Sequence, residues 1–264
     1  MREPELIRLA MWSGPRNIST AMMRAWENRP DCVVSDEPFY AAWLSATGEP
    51  HPMAQVVIDE GETDALKVAH SLSEGEPPAH FNDGRPVRVW YQKQMCQHWM
   101  EELGFDWLHA LTHVFLIRDP AKVVLSYIKA RETVDVTPHD VGLPQQAALF
   151  EEITKQQGFP PPVIDSEAFL MNPKGYLAAL CDELGLAHHG EAMVQWPSGP
   201  RDSDGIWASH WYQRVWGSTG FEPPQEEGLT AEDKTLSQNP KAKAVVAACQ
   251  PYYRALKKHT LVVH

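Results

Sequence analysis

The sequence lacks a long apolar run. None of its 264 residues lies in an uninterrupted apolar stretch of the roughly 18 residues that a membrane-spanning helix needs. Basic residues are scarce as well, because 23 Lys and Arg stand against 35 Asp and Glu and leave a formal net charge of -12. This deficit disfavours a nucleic-acid binder or a binder of anionic membranes, since both need a broad basic surface. A small basic pocket for one anion remains compatible with it.

Cysteine is sparse too. Cys32, Cys96, Cys181 and Cys249 are far apart and form no CxxC pair. The sequence therefore predicts reduced, mostly buried thiols. The first seven residues carry no basic segment followed by an apolar core, so we expect no secretion signal and a cytoplasmic location. We also expect no metal site, because His, Cys and carboxylate ligands do not cluster in the sequence.

The composition is that of a globular protein, with 43% hydrophobic and 22% charged residues. Predicted strands and helices alternate, which is typical of an α/β fold with a central parallel sheet covered by helices. No linker divides the chain, so we predict a single domain over residues 1–264. The predicted strands are 6–12, 32–35, 87–91, 113–117 and 163–165, and the predicted helices are 20–28, 39–46, 63–72, 94–103, 121–131, 145–157, 173–184 and 240–258.

A loop of small and polar residues, SGPRNIST at residues 13–20, joins the first predicted strand to the first predicted helix. The first turn of a helix has unpaired N–H groups and a partial positive charge, which attract an anion. Arg16, Asn17, Ser19 and Thr20 add a cation, an amide and two hydroxyls, so the loop is a candidate site for a tetrahedral anion. It is not a Walker A loop, because GxxxxGK[ST] is absent. Ser19 could instead serve only as a helix N-cap.

The clearest predicted strand, residues 113–117 (HVFLI), leads directly into Arg118 and a helix whose first turn suits Pro120. Ligands of open parallel sheets bind beyond the carboxyl ends of the strands, which is the predicted position of Arg118. Ser126 follows about two turns into the helix and could point back to the same place. The guanidinium of Arg118 fits a phosphate, although it could also pair with Asp119 or another acid.

These two segments resemble the nucleotide-binding motifs of the sulfotransferases that use 3'-phosphoadenosine 5'-phosphosulfate (PAPS). SGPRNIST is similar to their 5'-phosphosulfate loop, and FLIRDPAKVVLSY is similar to their 3'-phosphate segment, in the family's order. The sequence also resembles bacterial sulfotransferase-like proteins with an SGPRN-type loop and a DEPFY segment, here residues 36–40. The resemblance covers residues 6–46 and 87–131 well and is absent from residues 47–86.

The resemblance implies a P-loop-type, three-layer α/β sandwich. It also implies PAPS as the sulfuryl donor, with 3'-phosphoadenosine 5'-phosphate (PAP) as the product and no metal. The residues that would bind this donor are Arg16, Asn17, Ile18, Ser19 and Thr20 at the 5'-phosphosulfate, and Arg118, Ser126 and Arg201 at the 3'-phosphate.

Three residues compete for the acid–base and charge roles. Some relatives place a glutamate base after the second strand, where Glu37 stands, and many have a lysine near Lys93 that reaches the bridging oxygen. The cytosolic branch of the family has its catalytic histidine close to Gln94 and Met95, where this sequence departs from it, and His98 lies further on, on the helix predicted next. We prefer Glu37 as the base and Lys93 as the electrophilic helper, with His98 ranked below them. A cap or salt bridge for Glu37, an exposed Lys93 and a packed His98 are the structural alternatives.

The predicted function is transfer of a sulfuryl group from PAPS to a hydroxyl or amine of a small acceptor. Two alternatives remain open: a P-loop kinase of a small metabolite, which would need a loop lysine and a carboxylate for Mg²⁺, and a non-catalytic nucleotide-binding protein of the same fold. The residues that could wall the acceptor pocket, or instead pack on the core, are Trp207, Trp211, Tyr212 and Trp216.

Overall fold

A computed structural model describes residues 6–79, 86–223, 236 and 238–263. Its strands are β1 (Ile7–Ser13), β2 (Cys32–Asp36), β3 (Val89–Met95), β4 (Thr112–Ile117) and β5 (Val163–Asp165). They form a five-stranded sheet in the order β2-β3-β1-β4-β5. The β2–β3 and β4–β5 pairs are parallel. The predicted α/β class with a central parallel sheet is thereby confirmed.

Helices separate the strands along the chain, as predicted. None among the described residues is long and apolar enough to cross a membrane. The helices are α1 (Ser19–Glu27), α2 (Tyr40–Thr47), α3 (Ala54–Glu60), α4 (Ala65–Glu74), α5 (Pro120–Arg131), α6 (Pro138–Val141), α7 (Leu143–Gln157), α8 (Ser166–Met171), α9 (Pro173–Glu183), α10 (Ala208–Trp211), α11 (Gln213–Trp216) and α12 (Pro240–Lys257).

The described residues group into two compact units. Each unit is built from separate stretches of sequence, and no linker of the kind sought in the sequence divides them. The single domain over residues 1–264 stays a prediction. The first unit draws its described residues from 1–11, 20–113 and 189–221, and the second draws its own from 12–19, 114–188 and 222–264.

The core of the first unit forms around α2. The first five residues of this helix, 40–44, are buried, and its last three, 45–47, are exposed. Val33 of β2 and Trp90 of β3 belong to the same apolar cluster, together with Trp43 and Leu72. This packing fixes the ends of β2 and β3, where two predicted catalytic residues lie.

The strand β3 runs to Met95 and passes the predicted end at residue 91. Its polar second half suggested the end of a buried strand, yet those side chains are buried with partners. The Gln92 side-chain amide donates from Nε2 to the Leu72 carbonyl at 3.0 Å, and Gln94 Nε2 donates to Gln92 Oε1 at 3.2 Å. Because a buried polar group with a partner is inexpensive, the strand continues.

The helix predicted over residues 94–103 is therefore wrong. Two 3-10 turns, Cys96–His98 and Glu101–Leu103, follow the strand instead. Between them the backbone is extended, with ψ of 133° at Trp99. His98 accordingly ends a tight turn directly after β3 and does not lie on a helix.

In the second unit, α5 begins as its sequence predicts. Pro120 occupies the first helical turn, and the Asp119 carboxylate caps the helix by accepting from the Ala121 N–H at 2.9 Å. Asp119 is thus used as a cap, and Arg118 pairs with a different acid. The four cysteines of the chain are buried and free, as predicted.

Candidate active site

The loop between β1 and α1 holds an unusual backbone. Arg16 has a φ of 61° and Ile18 a φ of 56°. Residues with a side chain rarely adopt this left-handed region, and β-branched residues do so least. Such conformations persist where the surroundings hold them, and they are concentrated at functional sites.

Two contacts of the second unit hold the loop in this shape. The buried Asn17 side chain donates from Nδ2 to the Leu116 carbonyl at 2.8 Å. The Arg118 Nη1 donates to the Arg16 carbonyl at 2.9 Å. Leu116, near the end of β4, and Arg118 therefore hold the loop through its backbone and the Asn17 side chain. The Asn17 amide, which was predicted to bind a phosphate, is used for this contact.

Gly14 lets α6 approach the loop closely. A Cβ at this position would lie 2.5 Å from the Val141 carbonyl oxygen, closer than real Cβ atoms come to backbone. The glycine of the SGPRN segment is thus required by packing of the second unit.

The structure brings Arg16, Ser126 and Arg118 together, although the sequence assigned Arg16 to the 5'-phosphosulfate and the other two residues to the 3'-phosphate. The two arginines are 102 residues apart. Arg16 Nε donates to Ser126 Oγ at 2.9 Å, and Arg118 reaches the carbonyl of the same arginine. Two cations and a hydroxyl therefore meet at the loop, a donor set that fits a phosphate group.

Sequence reasoning missed two partners of this cluster. Arg118 Nε donates to Glu167 Oε1 at 3.2 Å, and Lys122 Nζ donates to the other oxygen of the same carboxylate. All three side chains are about a quarter exposed. Lys122 could have been found from its place in the first turn of the helix after Arg118, and Glu167 from its place just after β5.

The two hydroxyls of the loop lie at the start of α1. Ser19 is the first residue of the helix and is buried, whereas Thr20 is partly exposed. Ser19 therefore stands inside the first turn, where backbone N–H groups are unpaired, and not at the position before it.

In the first unit, strand register places Asp36 opposite Lys93 on the neighbouring strand. The Lys93 ammonium donates to Asp36 Oδ1 at 2.9 Å, to Glu37 Oε1 at 2.6 Å and to the Tyr212 hydroxyl. Its side chain is 1% exposed. An ammonium has three donors, and the structure gives each of them a partner. Glu37 and Lys93 are thus brought together as predicted, and Lys93 is not the exposed side chain of the alternative reading.

Tyr212, which the sequence offered only as a wall of the acceptor pocket or as a core residue, joins these charged groups. Its hydroxyl lies 2.8 Å from both carboxylate oxygens of Asp36. The Lys93 Nζ stands 4.7 Å from the centroid of its ring, a cation–π distance. The four groups form what we call the Lys93 cluster: Asp36, Glu37, Lys93 and Tyr212.

Burial sets the protonation of the cluster. Burial by itself lowers the pKa of Lys93, but Asp36 and Glu37 outweigh it and hold the pKa well above 10.5. Burial raises the pKa of Asp36, which the Lys93 charge opposes, and burial also raises the pKa of Tyr212. Lys93 is therefore a firm cation and Tyr212 a neutral phenol.

Glu37 differs from its neighbours in exposure and backbone. Its φ is 41°, again in the left-handed region, and its side chain is 13% exposed against 2% for Asp36. Lys93 and Tyr212 reach only Oε1. Among the described residues, Oε2 of Glu37 accepts no hydrogen bond, so one oxygen of this carboxylate remains available.

His98 is packed between aromatic rings. Its ring stacks on Tyr40 at 4.9 Å and 3°, and on Trp43 at 4.8 Å and 28°. Burial lowers its pKa well below 6.5, with His51 and Lys93 adding to the effect. Within the described part of the chain no hydrogen bond joins it to Glu37 or Lys93, so His98 is a neutral ring in the aromatic core of the first unit.

Arg201 lies in an ion-pair network of the first unit. Its guanidinium donates to Glu27 Oε2 at 2.7 Å and to Asn28 Oδ1 at 3.0 Å. Arg24, 1% exposed, pairs with Asp204 at 2.6 Å and with Glu27 at 3.3 Å. The network anchors the segment that carries Arg201 to the last turn of α1, and the predicted place of Arg201 at a 3'-phosphate stays a prediction.

The same segment continues to the Lys93 cluster. The Gly205 N–H donates to Asp36 Oδ2 at 3.0 Å. A Cβ on Gly205 would lie 2.1 Å from the Trp207 ring, so only glycine lets the indole pack there. We call residues 201–216 the strap.

The comparison with protein families decides the assignment. The model of the sulfotransferase domain family matches residues 7–260. This chain belongs to the sulfotransferase domain family. The resemblance stated from the two motifs is thereby confirmed for nearly the whole described length, including residues 47–86, where the motifs gave no sign of it.

Similar proteins include two from Arabidopsis thaliana. Branched-chain-amino-acid aminotransferase-like protein 2 is 30% identical over 94% of this sulfotransferase domain, and protein 1 of that name is 31% identical over 86%. The chain spans only 41% and 38% of these relatives. The match therefore covers one part of two longer proteins.

Similar solved structures include the sulfotransferase domain from the curacin biosynthetic pathway, at 15% identity and a TM-score of 0.49. It covers 90% of this chain and 99% of its own. The sulfotransferase from Alicyclobacillus acidocaldarius follows at 13% identity and a TM-score of 0.48, covering 92% of this chain and 98% of its own. The family assignment rests on the sequence match.

Proposed function

We propose that this sulfotransferase domain transfers a sulfuryl group from PAPS to a hydroxyl or amine of a small acceptor. One observation carries the proposal: Arg16, Arg118 and Ser126 meet around a strained loop that opens a helix, in a chain whose family transfers sulfuryl groups. Cations, a hydroxyl and a helix start are the groups that bind phosphate esters.

The donor would be held by the loop between β1 and α1 and by the segment that follows β4. Arg16, Ser19, Thr20 and the backbone N–H groups after Ile18 would bind the 5'-phosphosulfate. Arg118 and Ser126 would bind the 3'-phosphate, which distinguishes PAPS from ATP. Asn17 would contribute by fixing the loop, since its amide is bonded to the Leu116 carbonyl.

The proton of the acceptor would pass to Glu37, whose Oε2 is available. Lys93 would hold Glu37 in place by hydrogen bonding and would not contact the donor, because all three ammonium donors of Lys93 have partners in the Lys93 cluster. The electrophilic role predicted for Lys93 would require one of these bonds to break. His98 would keep a packing role, because burial lowers its pKa well below 6.5 and leaves it a weak base.

The test is calorimetric titration with PAP, with ATP plus Mg²⁺ as the comparison, followed by transfer assays with PAPS. We expect PAP to bind and ATP to bind far more weakly. Preference for ATP would favour the kinase alternative, and PAP binding without transfer to any of a panel of phenols, alcohols and amines would favour the non-catalytic one.

A variant tests the assigned phosphate contact. Arg118→Ala should weaken PAP binding by at least about tenfold, the scale of one lost charge-assisted hydrogen bond. Binding of adenosine 5'-phosphosulfate, which has no 3'-phosphate, should change little. Equal weakening of both nucleotides would refute the assignment of Arg118.

A further inference from the structure

The Lys93 cluster carries an uneven charge. Asp36 and Glu37 contribute two negative charges, Lys93 contributes one positive charge and Tyr212 is neutral, so the net charge is -1. Three of the four side chains are 4% exposed or less. An uncompensated buried charge is unfavourable, and Glu37, the more exposed of the two carboxylates, is the one that an acceptor could reach.

Hydrogen-bond directions fix the part played by Tyr212. A phenol has one proton to donate and can accept as well. Since Lys93 can only donate, the Tyr212 oxygen accepts from Lys93 and its proton goes to Asp36, 2.8 Å away. Tyr212 thereby accepts one of the three N–H donors of Lys93 and donates its own proton to the Asp36 carboxylate. Another N–H of Lys93 is held against Glu37 Oε1 at 2.6 Å.

We propose that Tyr212, which lies in the strap, is the residue that positions the base Glu37 in this sulfotransferase domain. It keeps Lys93 against one oxygen of Glu37, so that the other oxygen stays free to receive the acceptor's proton. The inference rests on the proposed function and adds to it a residue outside both nucleotide motifs.

The step balances in atoms and charge. The acceptor oxygen or nitrogen forms its bond to sulfur, and the bond from sulfur to the bridging oxygen breaks, with its electron pair leaving on PAP. The acceptor's proton moves to Glu37 Oε2, and the net charge of the Lys93 cluster changes from -1 to 0.

The first arm of the test needs no activity. Urea unfolding of Tyr212→Phe, Lys93→Met and the double variant gives a double-mutant cycle. If Tyr212 holds Lys93, the two changes are non-additive, by roughly tenfold in the unfolding equilibrium constant. Additive effects would overturn the proposal.

The second arm measures turnover. Tyr212→Phe should lower kcat for sulfuryl transfer by at least about tenfold, while KM for the acceptor and the dissociation constant of PAP change less than about threefold. The matched control is Tyr91→Phe, since Tyr91 is fully buried in the same unit and its hydroxyl has no hydrogen-bond partner among the residues that the structure describes. Tyr91→Phe should leave all three quantities unchanged.

The outcomes separate the two proposals. A coupled cycle with unchanged kcat in Tyr212→Phe would overturn the positioning role and leave the proposed function standing. A wild-type protein that neither binds PAP nor transfers from PAPS would refute the proposed function, and the cycle would still decide whether Tyr212 holds Lys93.

Discussion

At the scale of single residues, Glu167 is the side chain that most affects the proposed donor site. Its carboxylate bridges Arg118 and Lys122, two cations that a 3'-phosphate would also seek. A bound phosphate must therefore displace this carboxylate or share the cations with it. In the proposed donor site, Glu167 would act as an internal competitor for a phosphorylated nucleotide.

Replacing this competitor should strengthen binding. Glu167→Gln removes a negative charge beside the cations, so PAP should bind about tenfold more tightly, the worth of one charged contact. Titration of PAP and of adenosine 5'-phosphosulfate measures the effect, which should be confined to PAP. Glu183→Gln, an exposed acid at the end of α9, is the control. Weaker PAP binding by Glu167→Gln would show that the carboxylate supports the site.

Residues differ in how far the sequence could identify them. Arg16 and Arg118 could be singled out because each stands at a recognisable junction of strand and helix, and chain order alone brings such junctions to one edge of a parallel sheet. Ser126 could be added from its spacing, about two turns into the helix after Arg118. Tyr212 could not be assigned in this way, because it reaches Asp36 from 176 residues away. No local pattern encodes such a contact.

At the scale of elements, periodicity located the longer helices and the buried strands. It failed where elements are short or their polar groups are satisfied inside. The helices α10 and α11 have four residues each, too few for a repeat of 3.6 to show. β3 was cut short because Gln92 and Lys93 read as polar, although both are buried with partners.

His113, near the start of β4, should make the stability of the protein depend on pH in mild acid. Burial lowers the pKa of His113 to about 4, against the opposing effect of the Leu108 carbonyl, 3.0 Å from Nε2. Below the unfolded value of about 6.5, the unfolded chain binds a proton that the folded ring refuses. Stability therefore falls as pH drops from about 6.5 towards 4, by about 1.4 kcal/mol per pH unit for this group.

His113→Gln keeps a donor for the Leu108 carbonyl and removes the titration. Between pH 6.5 and 5 the unfolding free energy of this variant should depend less on pH than that of the wild type. The difference in slope should be up to about 1.4 kcal/mol per pH unit. Urea unfolding at several pH values measures this, with His70→Gln as an exposed control. His98 titrates in the same direction and should leave a residual slope. An unchanged slope in His113→Gln would contradict the assignment.

At the scale of the whole molecule, ligand binding should raise the free energy of unfolding and the Tm. A ligand present at about 100 times its dissociation constant stabilises the folded protein by about 2.7 kcal/mol. For a chain of this size that corresponds to a rise in Tm of roughly 5–10 °C. PAP should produce such a rise and ATP with Mg²⁺ should not, as differential scanning fluorimetry would show. Equal shifts would mean that the 3'-phosphate is not recognised.

The interleaving of the two units has a consequence for synthesis on the ribosome. The first unit cannot be complete until residues 189–221 have emerged, and the second needs α12 near the end of the chain. A nascent chain therefore cannot finish one unit before starting the next, as multidomain proteins commonly do. Both must close over long sequence separations, which is slow, so neither unit finishes folding before these late segments have been made, and every truncation before residue 189 leaves two unfinished bodies.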